Sequence, residues 1–200
     1  MAQISCRDLS VGHEGRTVVE KLNFEINEGD YLCIIGENGS GKTTLMKTLA
    51  GQVCPISGSF LSGGEVVMVP TRIPKVKGFT VREFILTGMA HGSGTFRKPG
   101  PEAVSAEEEA VRLLGLQQIE SKDLCRISDG EFQKACTAIA LVRRANVILL
   151  DEPTAFLDVD NRIMVLSVLR EISRSTGTTV LFSTHDINDG AIYSDYTLNL

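Results

Sequence analysis

The first third of the chain consists of short runs in which apolar and β-branched residues dominate or alternate with polar ones, a pattern typical of β-strands. Strands are predicted for five of these runs: 4–11, 17–26, 31–35, 57–61 and 65–69. The first two form an antiparallel lead-in, and the turn Ser62-Gly63-Gly64 predicts that the last two form a hairpin. A helix is expected at 44–50, where it follows the apolar strand 31–35 and ends at Gly51.

Beyond residue 71 the pattern becomes mostly helical, and strands return only near residue 146. Helices are predicted at five places: 80–89, 107–114, 131–144, 160–174 and shortly after residue 186. Strands are predicted at 146–150, which is almost wholly apolar and typical of a buried parallel strand, at 178–183 and at the end of the chain. The glycine- and proline-rich run 91–101 predicts an exposed loop.

This order of elements favours the α/β class, with a mostly parallel sheet, flanking helices and the antiparallel β lead-in. We expect one domain over residues 1–200, with a helical subdomain inserted at about 71–140. The subdomain would contain the helices predicted between the two groups of strands.

The composition is that of a globular chain and argues against two classes of protein. Hydrophobic residues make up 42% of the 200 residues, which is enough to build a buried core. The formal net charge of −5 gives no indication of a nucleic-acid-binding surface. The longest apolar runs, such as 138–142, fall far short of the roughly 18 residues that would span a bilayer. We therefore expect a cytoplasmic protein without nucleic-acid partners, whose five singly spaced cysteines stay reduced.

A glycine-rich motif follows the apolar strand 31–35. Its residues fit the pattern G-x-x-x-x-G-K-[ST]: Gly36, Glu37, Asn38, Gly39, Ser40, Gly41, Lys42 and Thr43. Because it lies between a predicted strand and a predicted helix, the motif indicates a P-loop NTPase core whose backbone N–H groups bind a polyphosphate. Lys42 is expected to reach the β- and γ-phosphates, Thr43 to bind Mg²⁺, and Thr44 to belong to the same nucleotide site. The alternative is a glycine-rich turn that binds nothing.

Two adjacent acids follow the apolar strand 146–150. The carboxyl end of a parallel strand lies in the crevice where ligands bind, so Asp151 is predicted to hold Mg²⁺. Glu152 is predicted to be the general base that polarises the attacking water. His185 follows the strand 178–183 in the same way and can reach a γ-phosphate. A solvated strand end and a structural histidine are the alternatives.

Four motifs together resemble the ATP-binding-cassette (ABC) ATPases over nearly all of the chain. They are the phosphate-binding loop 36–43, Leu150-Asp151-Glu152-Pro153-Thr154, the D-loop-like Ala155-Phe156-Leu157-Asp158 and the switch-histidine segment Ser183-Thr184-His185-Asp186. The resemblance implies ATP hydrolysis with Mg²⁺, in which Lys42, Glu152 and His185 are catalytic. It also implies a head-to-tail homodimer, or a dimer with a paired ABC subunit, with Asp158 in the D-loop.

This family carries a signature sequence, Leu-Ser-Gly-Gly-Gln, at the start of a helix. The segment Leu61-Ser62-Gly63-Gly64-Glu65 is similar in letters, but it lies in the predicted hairpin and is interpreted as a decoy. The positional match opens the helix predicted at 131–144, and the resemblance implies that four residues there face the ATP of the other subunit: Ser128, Asp129, Gly130 and Glu131. Asp129 replaces a glycine and Glu131 a glutamine, and both add negative charge, so weaker binding across the dimer is expected.

Two further positions depart from the family pattern. The Q-loop glutamine, which touches Mg²⁺ and faces the membrane partner, should follow the strand 65–69, where this chain has Thr71. Because a threonine side chain is shorter, that contact needs a bridging water or is lost. The aromatic residue that stacks on adenine should lie in the turn after the first strand, where His13 is the best match. An ordinary turn histidine is the alternative.

Within the family, the chain looks most like the ATPase subunits of bacterial importers for iron complexes, of the siderophore, haem or cobalamin type. The similarity lies in 151–158, in 81–88 and in the Ser128-Asp129-Gly130-Glu131 variant, whereas 29–42 also resembles zinc and manganese importers. It implies separate permease subunits, a solute-binding protein and a peripheral position on the cytoplasmic face of the cell membrane. A catalytically inactive, nucleotide-gated binding module is the alternative from another class.

Overall fold

The computed structural model describes residues 2–89, 100–186, 188 and 192–200. Within these residues the strands are β1 (Ala2–His13), β2 (Arg16–Asn27), β3 (Tyr31–Ile35), β4 (Ser57–Ser62), β5 (Val66–Val69), β6 (Val147–Leu150), β7 (Thr179–Thr184) and β8 (Tyr196–Asn199). The α-helices are α1 (Lys42–Leu49), α2 (Val81–Leu86), α3 (Pro101–Leu113), α4 (Asp129–Val142) and α5 (Val159–Thr176). The predicted α/β class is confirmed.

The antiparallel lead-in is a three-stranded sheet in the order β2-β1-β4. The first two strands form a hairpin in which His13 pairs with Arg16. Its two central residues, Glu14 and Gly15, have φ of 49° and 77°, the left-handed conformation that matches the twist of a two-residue hairpin. His13 is exposed at the end of β1.

The parallel sheet has the order β5-β6-β7-β3-β8, and neighbouring strands within it run parallel. Its central strands β6, β7 and β3 are wholly buried, which explains why β6 and β3 are almost continuously apolar and why the middle of β7 is apolar. Strand β7 lies between β6 and β3, so the segments that follow these three strands leave the same edge of the sheet.

The predicted hairpin at Ser62-Gly63-Gly64 is wrong. Strand β4 pairs with β1 in the antiparallel sheet, whereas β5 pairs with β6 in the parallel sheet. The turn moves the chain from one sheet to the other: Gly64 has φ 86°, and the Glu65 N–H donates to Asn146 Oδ1 at 2.9 Å. The wholly apolar β5, unlike the mixed β4, was the available signal that the two strands belong to different environments.

The helix boundaries in the structure differ from those predicted from the sequence mainly in the middle of the chain. Thr80 caps α2 through a capping box with Glu83, but the α-helix ends at Leu86 and continues as a 3₁₀ turn over Thr87–Met89. Helix α3 begins at Pro101, six residues before the predicted start, because proline at the first helical position lacks only an N–H that would be unpaired. The predicted loop at 91–101 lies almost wholly outside the described residues, and so does much of the helix predicted after 186.

The chain divides into two compact units. One comprises the residues up to Thr71, Ala145–Pro153 and Leu169–Leu200, and it contains both sheets. The other comprises Arg72–Arg144 and Thr154–Val168, and α2, α3 and α4 pack together within it. The inserted subdomain at about 71–140 stays a prediction, and the second compact unit also includes a segment that follows β6. Among the described residues, no helix has both the length and the apolar character needed to cross a membrane.

Candidate nucleotide-binding and hydrolysis site

The glycine-rich loop connects β3 to α1 through backbone conformations that favour glycine. Gly39 and Gly41 have φ of 88° and 103°. A Cβ at Gly36 would overlap the Ser40 hydroxyl, and a Cβ at Gly41 would lie 2.6 Å from Val19 Cγ2. The loop therefore closes tightly and leads into the N-terminus of α1, where N–H groups without helical partners can face an anion.

Two polar side chains of the loop are buried. Lys42 is 5% exposed, and its Nζ donates to the carbonyl oxygens of Gly36 at 2.7 Å and Glu37 at 3.0 Å. The Ser40 hydroxyl oxygen is buried and has no hydrogen-bond partner among the described residues. Buried polar atoms are normally paired, so this hydroxyl fits a site whose acceptor is a bound phosphate. A cavity of about 340 Å³ beside the loop is lined by Ile35, Gly36, Glu37, Asn38, His185, Asn199 and Leu200.

Asp151 lies next to the loop because β6 and β3 are separated only by β7. Its carboxylate is buried and accepts two hydrogen bonds, from Thr43 Oγ1 at 2.7 Å and from Ser183 Oγ at 2.8 Å. Thr43 is the second residue of α1, and Ser183 lies within β7. Residues from three distant parts of the chain thus meet at one carboxylate.

Glu152 and His185 are adjacent at the same edge of the sheet. The Glu152 N–H donates to Ser183 Oγ at 2.9 Å, and this residue has φ 52°, an uncommon conformation for a residue with a side chain. His185 Nδ1 lies 3.7 Å from Glu152 Oε1, which is too long for a hydrogen bond. The imidazole is 66% exposed, so it can approach a ligand from solvent.

The donor set beside the loop fits Mg²⁺. Thr43 and Asp151 present a hydroxyl and a carboxylate, the oxygen ligands that this ion prefers, and the two groups are already within 2.7 Å of each other. The described residues contain no cluster of three or more acidic, histidine or cysteine side chains that could enclose a metal alone. Such a site suits an ion that takes its remaining ligands from phosphate and water.

The N-terminus of α4 carries a second group of candidate site residues. Ser128 is its N-cap in a capping box: Ser128 Oγ accepts from the Glu131 N–H at 3.1 Å, and the Ser128 N–H donates to Glu131 Oε2 at 2.8 Å. The backbone hydrogen bond from Ser128 holds the pKa of Glu131 below its ordinary value. The negatively charged Glu131 carboxylate therefore interacts with the N-terminus of α4, which it helps to cap.

Asp129, the first residue of α4, is 72% exposed and accepts from Lys75 Nζ at 2.8 Å. Asp158 accepts from the N–H and side-chain amide of Asn161 at 2.8–3.0 Å, and the backbone hydrogen bond lowers its pKa. Lys134 donates to Asn161 Oδ1 at 3.0 Å. A cavity of about 410 Å³ is lined by Ser128, Asp129, Gly130, Glu131, Lys134, Phe156, Leu157, Asp158 and Asn161.

A match to the ABC transporter family covers residues 19–155, which is more than half of the chain. The chain belongs to this family. Three relatives of the ABC cassette are import or transport ATP-binding proteins: one for achromobactin from Dickeya dadantii (28% identical, 98% of this chain and 78% of the relative), one for molybdate from Haemophilus influenzae (33%, 90% and 72%) and one for ferric enterobactin from Escherichia coli (30%, 100% and 79%). The chain is therefore the ATP-binding, ATP-hydrolysing component of an ABC system.

Solved structures agree with this family. A metal-chelate type ABC transporter in an inward-facing conformation is 31% identical, with a TM-score of 0.90 and coverage of 100% of this chain and 80% of that chain. A dimeric ATP-binding cassette in a post-hydrolysis state with ADP and phosphate has a TM-score of 0.82 at 21% identity, covering 98% and 94%. The second likeness shows the fold alone.

The structure brings most of the predicted site residues of this ABC ATPase into two groups. One surrounds the glycine-rich loop and includes Asp151, Glu152 and His185. The other surrounds the N-terminus of α4. The segment Leu61–Glu65, which was interpreted as a decoy of the signature sequence, lies instead at the end of β4 and in the turn after it. Thr71 is half-buried just beyond the end of β5, and His13 is exposed in the first hairpin. Their roles stay predictions.

Two residues of the ABC cassette were missed by the sequence reasoning. Ser183, wholly buried in β7, connects the Asp151 carboxylate to the backbone of Glu152. Its position one residue before the end of a core strand was a usable signal, because a polar side chain that is buried there needs a hydrogen-bond partner. Lys75 lies in a segment without periodicity, and its contact with Asp129 had no signal in the sequence.

Proposed function

We propose that this ABC ATPase powers a bacterial importer for iron complexes of the siderophore, haem or cobalamin type. The observation that best supports ATP hydrolysis is the Thr43–Asp151 hydrogen bond of 2.7 Å, which lies beside the loop where Lys42 is buried. This arrangement supports a complete hydrolytic site rather than a catalytically inactive, nucleotide-gated module.

Each residue of the proposed site has its own role in ATP hydrolysis. Backbone N–H groups at 36–44 and the Lys42 ammonium hold the phosphates of ATP, and Thr43 and Asp151 would hold Mg²⁺. A Mg²⁺ ion bound there would supply positive charge to the phosphoryl group that is transferred. Glu152 accepts the proton of the attacking water, and His185, 3.7 Å from that carboxylate, contacts the γ-phosphate and helps to position the water.

The site is completed by a second copy of the chain, or by a paired ABC subunit, in a head-to-tail dimer. Ser128 accepts a hydrogen bond from the Glu131 N–H, but its own O–H can still donate to a phosphate. Gly130 and its neighbours supply backbone N–H groups at the N-terminus of α4. Asp158 would lie in the D-loop at this contact, and His13 would stack on adenine.

The proposed transport also involves partner proteins. We propose separate permease subunits that dock near Thr71 at the cytoplasmic face of the cell membrane, together with a solute-binding protein. The relatives named for achromobactin and ferric enterobactin, and the metal-chelate type transporter, support iron complexes over zinc or manganese. The molybdate relative shows that similar cassettes serve different cargo.

The test of hydrolysis compares the wild type with Glu152→Gln and Lys42→Ala. We expect Glu152→Gln to bind Mg-ATP normally while its turnover falls about 10²–10⁴-fold, the usual contribution of a general base. Lys42→Ala should lose nucleotide binding itself. Phosphate release and fluorescent-nucleotide binding separate the two effects. Full turnover by Glu152→Gln would remove the general-base assignment, and wild-type turnover equal to that of Lys42→Ala would favour the inactive module.

The cargo is tested in cells that lack this subunit. Uptake of radiolabelled ferric siderophore, haem or cobalamin should return with the wild type and not with Glu152→Gln. Restoration of zinc or manganese uptake instead would replace the iron proposal with the alternative importer.

A further inference from the structure

Lys75 makes three contacts with the N-terminal region of α4. Its Nζ donates to Asp129 Oδ1 at 2.8 Å and to the carbonyl oxygen of Ile127 at 2.9 Å, and it lies 5.4 Å from the centre of the Phe132 ring. The lysine side chain is only 24% exposed, whereas that of Asp129 is 72% exposed. A partly buried cation is thus held against an exposed anion at a helix terminus.

The charge of Asp129 creates a problem for the proposed site. A carboxylate in the first turn stabilises its own helix, but it also occupies and repels the place where the helix terminus would receive a phosphate. Glu131 does not add to this problem to the same degree, because its carboxylate is engaged with the Ser128 N–H. The exposed carboxylate of Asp129 is therefore the one that needs a positive charge beside it.

We propose that Lys75 is a positioning residue of this element: it neutralises Asp129 and keeps the N-terminus of α4 able to receive the phosphate of a nucleotide bound to a second copy of the chain. The inference rests on the proposed function, since it requires a nucleotide to be shared across a dimer. It concerns the charge balance of that site and assigns no additional ligand. The chain thus has Asp129 where the family has a glycine, and Lys75, 54 residues earlier in the chain, offsets the added negative charge.

A purely structural role for Lys75 predicts a different result. If the lysine only anchors the chain to the Ile127 carbonyl and the Phe132 ring, its loss should do the same harm whether or not Asp129 is present. If it offsets the charge, removing Asp129 should also remove the need for it. A double-mutant cycle distinguishes the two roles.

The experiment measures ATP turnover by four proteins: wild type, Lys75→Met, Asp129→Gly and the double variant. Methionine preserves much of the apolar stem, and Lys77→Met is the matched control because Lys77 is exposed two residues away. We expect Lys75→Met to raise the KM for ATP or lower kcat about fivefold or more, since one unopposed charge at a helix terminus is worth roughly 1 kcal/mol. ADP binding by single protomers, measured by calorimetry, should not change.

The double variant should recover most of the lost turnover, and Asp129→Gly alone should hydrolyse ATP faster than the wild type, because the repelling carboxylate is gone. A double variant as slow as Lys75→Met, in a protein whose wild type hydrolyses ATP, would overturn the role of Lys75 and leave the proposed function intact. Wild-type turnover no higher than that of Lys42→Ala would contradict the proposed function and this inference with it. Loss of activity in Lys77→Met equal to that in Lys75→Met would also overturn the inference.

Discussion

Ser183→Ala tests whether the hydroxyl in β7 holds the acid pair in place. The side chain is wholly buried, donates to Asp151 Oδ1 at 2.8 Å and accepts from the Glu152 N–H at 2.9 Å. A hydrogen bond to a charged group contributes about 1.5–3 kcal/mol, and one between neutral groups about 0.5–1.5 kcal/mol. We therefore expect the variant to lose roughly 2–4 kcal/mol of unfolding free energy.

Ser173→Ala is the matched control. This serine is also wholly buried, but its hydroxyl donates only to the Gly29 carbonyl at 2.7 Å, so its loss should cost about 1 kcal/mol. Urea unfolding, followed by circular dichroism, measures both values. The comparison separates the loss of a buried hydroxyl from the loss of a bond to the acid pair.

The functional effect should appear in the Mg²⁺ requirement. Losing a group that orients a metal ligand typically weakens metal binding 10–100-fold. The Mg²⁺ concentration that gives half-maximal ATP hydrolysis should therefore rise about tenfold or more in Ser183→Ala and stay near the wild-type value in Ser173→Ala. If both variants shift the Mg²⁺ requirement equally, Ser183 does not orient Asp151 and the reasoning is refuted.

Two further predictions concern pH and the Q-loop position. Burial raises the pKa of Glu107 above its ordinary value, and the opposing effect of Arg82, 3.2 Å away, is smaller. The contribution of this carboxyl to stability is therefore complete below the ordinary pKa and is lost as pH rises through the raised pKa. In urea unfolding, Glu107→Gln should therefore become more stable relative to wild type as pH rises above the ordinary pKa of the carboxyl. Thr71→Gln should raise basal ATP turnover several-fold, up to the about tenfold that roughly 1.4 kcal/mol represents, because the longer amide replaces a water-bridged contact.

Each of these predictions has an outcome that contradicts it. A stability difference between Glu107→Gln and wild type that is constant with pH would show that the buried carboxyl does not titrate as described. Unchanged turnover in Thr71→Gln together with a sharp loss in Thr71→Ala would mean that the threonine is already an adapted ligand. The glutamine analogy would then be dropped.

The hydrolytic site could be predicted largely because its chemistry is local in sequence. The glycine-rich motif has a fixed spacing, and Asp151 follows a strand whose apolar composition indicates burial in a parallel sheet. The rule that such strands end at one edge then predicts the approach of Asp151 to the loop, which the structure shows as its hydrogen bond from Thr43.

The remaining features depend on contacts between residues that are far apart in the sequence. Whether Ser62-Gly63-Gly64 reverses the chain or transfers it between sheets is decided by which partners are available, and Asn146, far along the chain, accepts a hydrogen bond from the turn. The pairing of Lys75 with Asp129 likewise depends on packing within the second compact unit. Local propensity does not distinguish such alternatives.

The pairing of β3 has a consequence for synthesis of the protein. Its two neighbours, β7 and β8, come from the last part of the chain: Tyr31 pairs with Val180, and Leu32 pairs with Tyr196. Such long-range parallel pairing forms late, because a large loop must close before any contact compensates its entropy. A nascent chain on the ribosome can form the β1–β2 hairpin early, but the strand that carries the glycine-rich loop stays unpaired until β7 has emerged. Nucleotides can therefore assist folding only after β7 has emerged, and chains truncated before β7 should depend on chaperones rather than on ATP binding for protection.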